Sequence, residues 1–253
     1  KEVKYHPRRP RKLRRGEMTQ ADGSPHLWFE DRGPYCNLLN FVDDATSESM
    51  IMHFCRTETT IDYMRSLLGY IQEYGIPLSM YVDRHSIFRP TIKNNQDMYG
   101  ETQLSRILKE LDIELILARS PQAKGRVERS HGTHQDRLTK ELRLNGIHTI
   151  QEGNEYLKYY RERHNSRFGV IPVNKDDAHR TFEGMNLERI FTLRESRQLS
   201  KGLTFQYKGV LYQAMNVRDP NRKRGAEVTL FEGLEGQFWA EVDEKKLELV
   251  AVK

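Results

Sequence analysis

Cysteine is nearly absent from this 253-residue chain: only Cys36 and Cys55 occur. They stand at no metal-ligand spacing, which argues against a disulfide framework and against a cysteine-based zinc site. Long apolar runs are also missing, and none approaches the ~18 residues of a membrane-spanning helix. No charged-then-apolar leader with a small-residue cleavage site opens the chain. With 37% hydrophobic and 30% charged residues, the expectation is a soluble protein of a reducing, cytoplasmic compartment with no membrane partner. The chain starts at Lys1 rather than Met, so it is expected to be a fragment with a region missing upstream. No internal repeat is present. The length allows one large domain and one small one, each with its own apolar core.

The net charge of +5 and pI near 9.1 gain meaning from where the charge sits. Residues 1–15 carry Lys1, Lys4, Arg8, Arg9, Arg11, Lys12, Arg14 and Arg15 against Glu2 alone, and the remainder is slightly acidic. A basic arm over residues 1–18 is therefore expected, extended until it meets DNA phosphates, which it would bind without reading sequence. The plain alternative is a solvated tail.

Hydrophobic period places the elements. Cys36 to Val42 and Met50 to Phe54 read as strands joined by the turn Asp43 to Ser47. Ile61, Met64, Leu67, Leu68 and Ile71 recur at helical spacing, with Thr60 as a cap and Gly75 and Pro77 as stops. Leu78 to Val82 is a short strand delivering Asp83 to a sheet edge. Leu104 to Leu111 is helical, Ile113 to Leu117 a strand, and Arg126 to Leu144 a long helix with Glu128 in its first turns. Glu155 to His164 reads as helix, and residues 151–200 as a helical connector. From Leu203 the period becomes two, and five short strands suggest a small closed barrel over 201–253. The class is α/β, a mixed sheet with helices on both faces over residues 19–150, followed by the barrel.

Asp22, Asp83 and Glu128 are each bland alone, as a turn residue, a cap and a first-turn acid. Taken in order with the Asp43-Asp44 turn, and with the stretches Asp22-Gly23-Ser24-Pro25-His26 and Ser120 to Arg129, they resemble the acidic-triad transposases of bacterial insertion sequences. Retroviral integrases share that pattern. The resemblance covers about residues 15–145 and implies a ribonuclease-H-like five-stranded sheet with Asp22 on the opening strand. The 44 residues between Asp83 and Glu128 exceed the spacing of many relatives, with Glu110 and Glu114 as the less well placed substitutes.

The activity implied is cleavage at transposon ends and transfer of the 3′-hydroxyl into target DNA, with Asp22, Asp83 and Glu128 holding Mg²⁺ and Mn²⁺ able to substitute. Carboxylates suit such hard cations, and two metals can clamp the attacking and leaving oxygens of phosphoryl transfer. The partners implied are double-stranded DNA, as terminal repeats and target, and a second copy of the chain. Lys124, Arg126 and Arg129 near the triad, His85, and Arg222-Lys223-Arg224 in a barrel turn are further expected DNA contacts. The localisation expected is cytoplasmic, on the nucleoid. His131 and His134 read as packing or surface residues rather than a metal pair, and Tyr159, Tyr160, Phe238 and Trp239 as core. Trp28 and Phe29, in a polar loop beside Asp22, remain candidate contact residues. Rival readings are a structure-selective nuclease of the same fold and a DNA-binding module whose acids are remnants.

Overall fold

A computed structural model describes residues 9–83, 102–118, 125–217 and 223–252. The chain divides into two compact units, Lys1–Met185 and Asn186–Lys253.

The first unit opens with β1 (Thr19–His26), β2 (Cys36–Asp43) and β3 (Ser49–Cys55), an antiparallel meander. After β3, Thr59 caps α1 (Thr60–Tyr74) through a reciprocal bond with Asp62, one residue before the expected cap, and Gly75 at φ 97° ends it. That φ is open to glycine at little cost. Then follow β4 (Ser79–Val82), α2 (Gln103–Glu110), β5 (Glu114–Leu117), α3 (Gly125–Leu144) and α4 (Ile150–Phe168). The sheet order is β3-β2-β1-β4-β5, with β4 parallel to both β1 and β5. This is the ribonuclease-H-like arrangement that the resemblance implies.

Strand alternation gives the sheet two unlike faces. Thr19 and Phe41 turn toward α1, where Thr19 Oγ1 donates to Tyr70 Oη at 3.1 Å and Phe41 packs on Tyr63 and Tyr70. Gln20, Ser24 and Asn40 turn toward α3, which bonds each of them. The α3 side also holds an apolar core, in which Trp28, Phe29, Leu38 and Phe54 meet Leu138, Leu142 and Leu157.

Two expectations change here. Residues 151–200 are not a helical connector, because helix ends at Phe168 and the chain then runs back along the first unit. Asn174 N–H donates to Leu13 O, Ala178 N–H to Arg15 O, and Arg180 exchanges both bonds with Ile76. The second unit also begins earlier than residue 201, with the turn α5 (Leu187–Ile190) and β6 (Thr192–Gln198).

In that unit β7 (Thr204–Tyr207), β8 (Val210–Ala214) and β12 (Leu249–Val252) form one sheet. The other comprises β6, β9 (Glu227–Gly233), β10 (Phe238–Val242) and β11 (Lys245–Lys246). The expected small barrel thus takes the form of two sheets sharing a core of Phe205, Tyr207, Val228, Leu230, Ala240 and Val242.

Candidate active site

Register places the first two acids. Gln20 on β1 pairs with Tyr81 on the parallel strand β4. Two residues onward, Asp22 and Asp83 occupy the next positions on the same face, because side chains alternate. Asp22 is half-buried, and Asp83 is exposed at the carboxyl end of β4, where open α/β sheets build their sites. Both are felt at the Tyr63 phenol. Burial first, and then the charges of Glu58, Asp22 and Asp83, push that phenol well above its ordinary value.

Helix α3 lies over this face. Asn40, directly opposite Asp22, donates to Ser130 Oγ at 3.0 Å, and Gln135 donates to Ser24 Oγ at 3.0 Å. Glu128 is exposed in the first turn of α3. The structure does not gather it with the other two: among the described residues, no group of three or more His, Cys, Asp or Glu side chains could hold a metal ion. The pair Asp22 and Asp83 offers hard carboxylate oxygens, which fit Mg²⁺ or Mn²⁺ better than a softer metal. The substitutes fare worse than Glu128. Glu110 is paired with Arg106 at 3.0 Å, and Glu114 sits level with Ser79, at the opposite end of β4 from Asp83.

The basic arm is corrected over residues 9–18, which fold onto the β2–β3 turn instead of standing free. Arg9 pairs with Asp44, Arg11 donates to Ser47 Oγ at 2.7 Å, Arg14 pairs with Glu17 at 2.8 Å, and Arg15 with Glu48 at 2.9 Å. Lys12 is anchored through its backbone N–H, 2.8 Å from Asp44 Oδ2. Arg126 is likewise paired, with Asp44 at 2.8 Å. Arg129 is exposed beside Glu128, and Arg224 is exposed in the second unit, where Lys223 pairs with Asp243. Arg8, His85, Lys124 and Arg222 lie outside the described residues.

The Asp-Asp turn has two distinct jobs. Asp43 accepts from Gly16 N–H at 2.9 Å, Ala45 N–H at 3.0 Å and Thr46 N–H at 2.8 Å, which builds the turn. Burial nevertheless raises its pKa, with those bonds opposing. Asp44 instead holds the arm and α3.

His134 is a packing residue, as expected, and a thoroughly bonded one. Its Nε2 lies 3.2 Å from Asn40 Nδ2, 3.2 Å from Ser49 Oγ and 2.9 Å from Ser130 Oγ, and its Nδ1 2.9 Å from Tyr160 Oη. Burial, then the neighbouring His164 and His131, hold it well below the usual histidine range. His131 is buried too. Trp28 and Phe29 are not contact residues: both are fully buried, and Trp28 Nε1 donates to Ser24 O at 3.0 Å. Tyr160 is core as expected, whereas Tyr159 is 55% exposed. Phe238 and Trp239 are half-buried, stacked on Tyr207 and Phe231.

Sequence reasoning missed Glu58. Its carboxylate covers Gly23, where a Cβ would stand 2.1 Å from Oε1, and Tyr63 Oη donates to it at 2.9 Å. A lone Glu before a helix cap carries no local signal of such a position.

No protein-family model matches the chain. It is 43% identical over 205 residues to y4bF of Sinorhizobium fredii (strain NBRC 101917 / NGR234), provisionally named a transposase, covering 80% of this chain and 45% of that protein. To the transposase for insertion sequence IS1202 of Streptococcus pneumoniae it is 40% identical over 169 residues, 66% of this chain and 36% of that protein. Among solved structures, a simian T-cell lymphotropic virus intasome in complex with PP2A regulatory subunit B56 gamma aligns at TM-score 0.49 and 15% identity, covering 97% of this chain and 80% of that one. The HTLV-2 integrase catalytic core domain in complex with magnesium (trimeric form) aligns at TM-score 0.44 and 19% identity, covering 57% and 84%. The chain spans less than half the length of the curated relatives it matches, and over the matched region it is similar to transposases, one of them of an insertion sequence.

Proposed function

We propose that this chain is the catalytic region of a transposase that cleaves DNA at transposon ends and transfers the freed 3′-hydroxyl into target DNA. The observation that best supports the reading is the pairing of Gln20 on β1 with Tyr81 on β4, two residues before Asp22 and Asp83, on the face covered by α3. In this reading Asp22, Asp83 and Glu128 hold divalent cations, which when bound activate the attacking oxygen and stabilise the leaving one. Asp22 works from a strand paired along its length to β2, which fixes the backbone that carries it. Asp83 faces solvent, where a DNA backbone can reach it. Glu128 joins the pair when the first turn of α3 moves toward β4. Arg129 is placed to neutralise a phosphate beside it. Pairing two transposon ends calls for at least a dimer on double-stranded DNA.

The test is Asp83→Asn on terminal-repeat DNA with Mg²⁺. The substitution keeps the side-chain shape and removes the charge a cation needs, so cleavage and joining should fall at least ~100-fold while DNA binding persists. Retained strand transfer by Asp83→Asn would defeat the assignment. Wild-type products that are cut but never joined, followed with a labelled 3′-end, would make the protein a nuclease instead.

A further inference from the structure

Asp44 is fully buried, and its carboxylate gathers three elements that are remote in sequence. Its Oδ1 accepts from Arg9 of the arm, from Gln20 Nε2 at 2.7 Å and from Arg126 at 2.8 Å, while Oδ2 accepts the Lys12 N–H at 2.8 Å. Two of these ties lead to the start of α3. Arg126 is itself in the first turn and also donates to Arg9 O at 3.0 Å. Gln20, oriented by Asp44 through its amide nitrogen, turns its oxygen to the Val127 N–H at 3.3 Å. First-turn amides have no partner within a helix, so that bond depends on Gln20 and, through it, on Asp44. The next residue is Glu128.

The two arginines on Asp44 are not equivalent. The Arg126 side chain is 11% exposed and that of Arg9 36%. A polyanion can therefore reach Arg9 while Arg126 stays covered, and a phosphate offers an arginine a charge-assisted fork like that of a carboxylate.

We infer that Asp44 is a positioning residue for Glu128, and that the arm sets its state by occupying or leaving that carboxylate. The inference rests on the reading of Glu128 as the third metal-holding acid. With Arg9 and Lys12 seated, the first turn of α3 is tied to the arm, the arrangement in which Glu128 stands apart from Asp22 and Asp83. When a DNA backbone takes Arg9, the turn loses the Arg126 bond to Arg9 O and one of the charges on Asp44. Glu128 is then freer to join the other two acids. DNA capture by the arm and completion of the acidic set become one event.

The experiment is hydrogen exchange of the Val127 amide in the 253-residue chain, with the Ile71 amide of α1 as the internal reference. Arg9→Ala should accelerate Val127 exchange roughly three- to tenfold, the scale of one net hydrogen bond, and leave Ile71 unchanged. A short duplex DNA of arbitrary sequence at low salt should produce the same acceleration in the wild type and add nothing to Arg9→Ala. Asp44→Asn should exceed Arg9→Ala if it folds, and Arg9→Ala, altering an exposed side chain, carries the test if it does not. A Val127 amide indifferent to both Arg9→Ala and DNA would overturn the inference. So would acceleration by DNA that persists undiminished in Arg9→Ala, since the arm would then not be the route. Cleavage by a Glu128→Gln variant would instead defeat the catalytic reading beneath it, with the coupling of Arg9 to Val127 standing or falling on its own measurement.

Discussion

The two faces of the central sheet are built on different physics. Toward α1 the contacts are mainly apolar, with Phe41, Met64, Leu67 and Ile71 buried near the hydroxyl pair Thr19 and Tyr70. Toward α3 the buried layer includes Gln20, Asn40, Asp44, Ser49 and His134, each needing a partner to offset the cost of leaving water. The first face contributes stability without direction. The second fixes where a helix start sits, because hydrogen bonds have preferred geometry and apolar contacts do not. The side with the polar layer is the one that Asp22 and Asp83 share.

If this contrast is right, acid should attack the α3 side first and most. Burial, with Arg137 nearby, lowers the pKa of His164 to about 4 from its ordinary 6.5, and His134 is lowered as well. The unfolded chain therefore takes up protons at these histidines near pH 6.5 that the folded chain refuses, at His164 until about pH 4. Their contribution is intact above pH 6.5 and lost as the pH falls toward 4, about 3 kcal/mol from His164 alone, with His134 adding in the same direction. Urea titrations at pH 7 and pH 5 measure this, and His164→Phe should flatten the slope. An unchanged slope would mean that the His164 ring is not held neutral.

Leu67→Ala, on the α1 face, should cost about 3 kcal/mol at pH 7 by cavity formation and leave the acid slope untouched. A steeper slope in that variant would show that the two faces unfold as coupled layers rather than as separately sensitive ones. The smallest effect is expected at Gly23, on the central strand β1. A methyl at Gly23 meets only the far end of the flexible Glu58 side chain, so Gly23→Ala should cost less than about 1 kcal/mol. Adding Glu58→Ala should remove that cost; a larger loss that Glu58→Ala does not relieve would place the obstruction in the backbone.

The same contrast explains what could be read from the residues. Apolar periodicity located α1 and β2 to within a residue or two, because hydrophobic spacing is a local property. The opening strand was legible only through resemblance, since Ala21, Asp22, Gly23 and Ser24 look like a turn until β2 pairs with them. The arm was misread because the acids that neutralise it, Asp44, Glu48 and Asp177, are far from it in sequence. Trp28 and Phe29 looked exposed among polar neighbours, yet Phe54 and α3 close over them. Strand β6 was missed because its residues Glu195 to Gln198 are exposed and show no apolar alternation. Only its pairing with β9 defines it. Of the site, Asp22 and Asp83 were legible through the resemblance, while the role of Asp44 in holding α3 depends on contacts that no window of sequence contains.

The return of the chain along the first unit after α4 bears on where the protein can be divided. A cut after Phe168, which the end of the long helices invites, would remove Asn174, Ala178 and Arg180 from their bonds with Leu13, Arg15 and Ile76. It would also take away His179, whose ring lies 2.7 Å from Tyr70 Oη. Proteolysis should therefore favour the stretch between Arg180 and Asn186 over the end of α4, and fragments meant to fold alone should keep that seam.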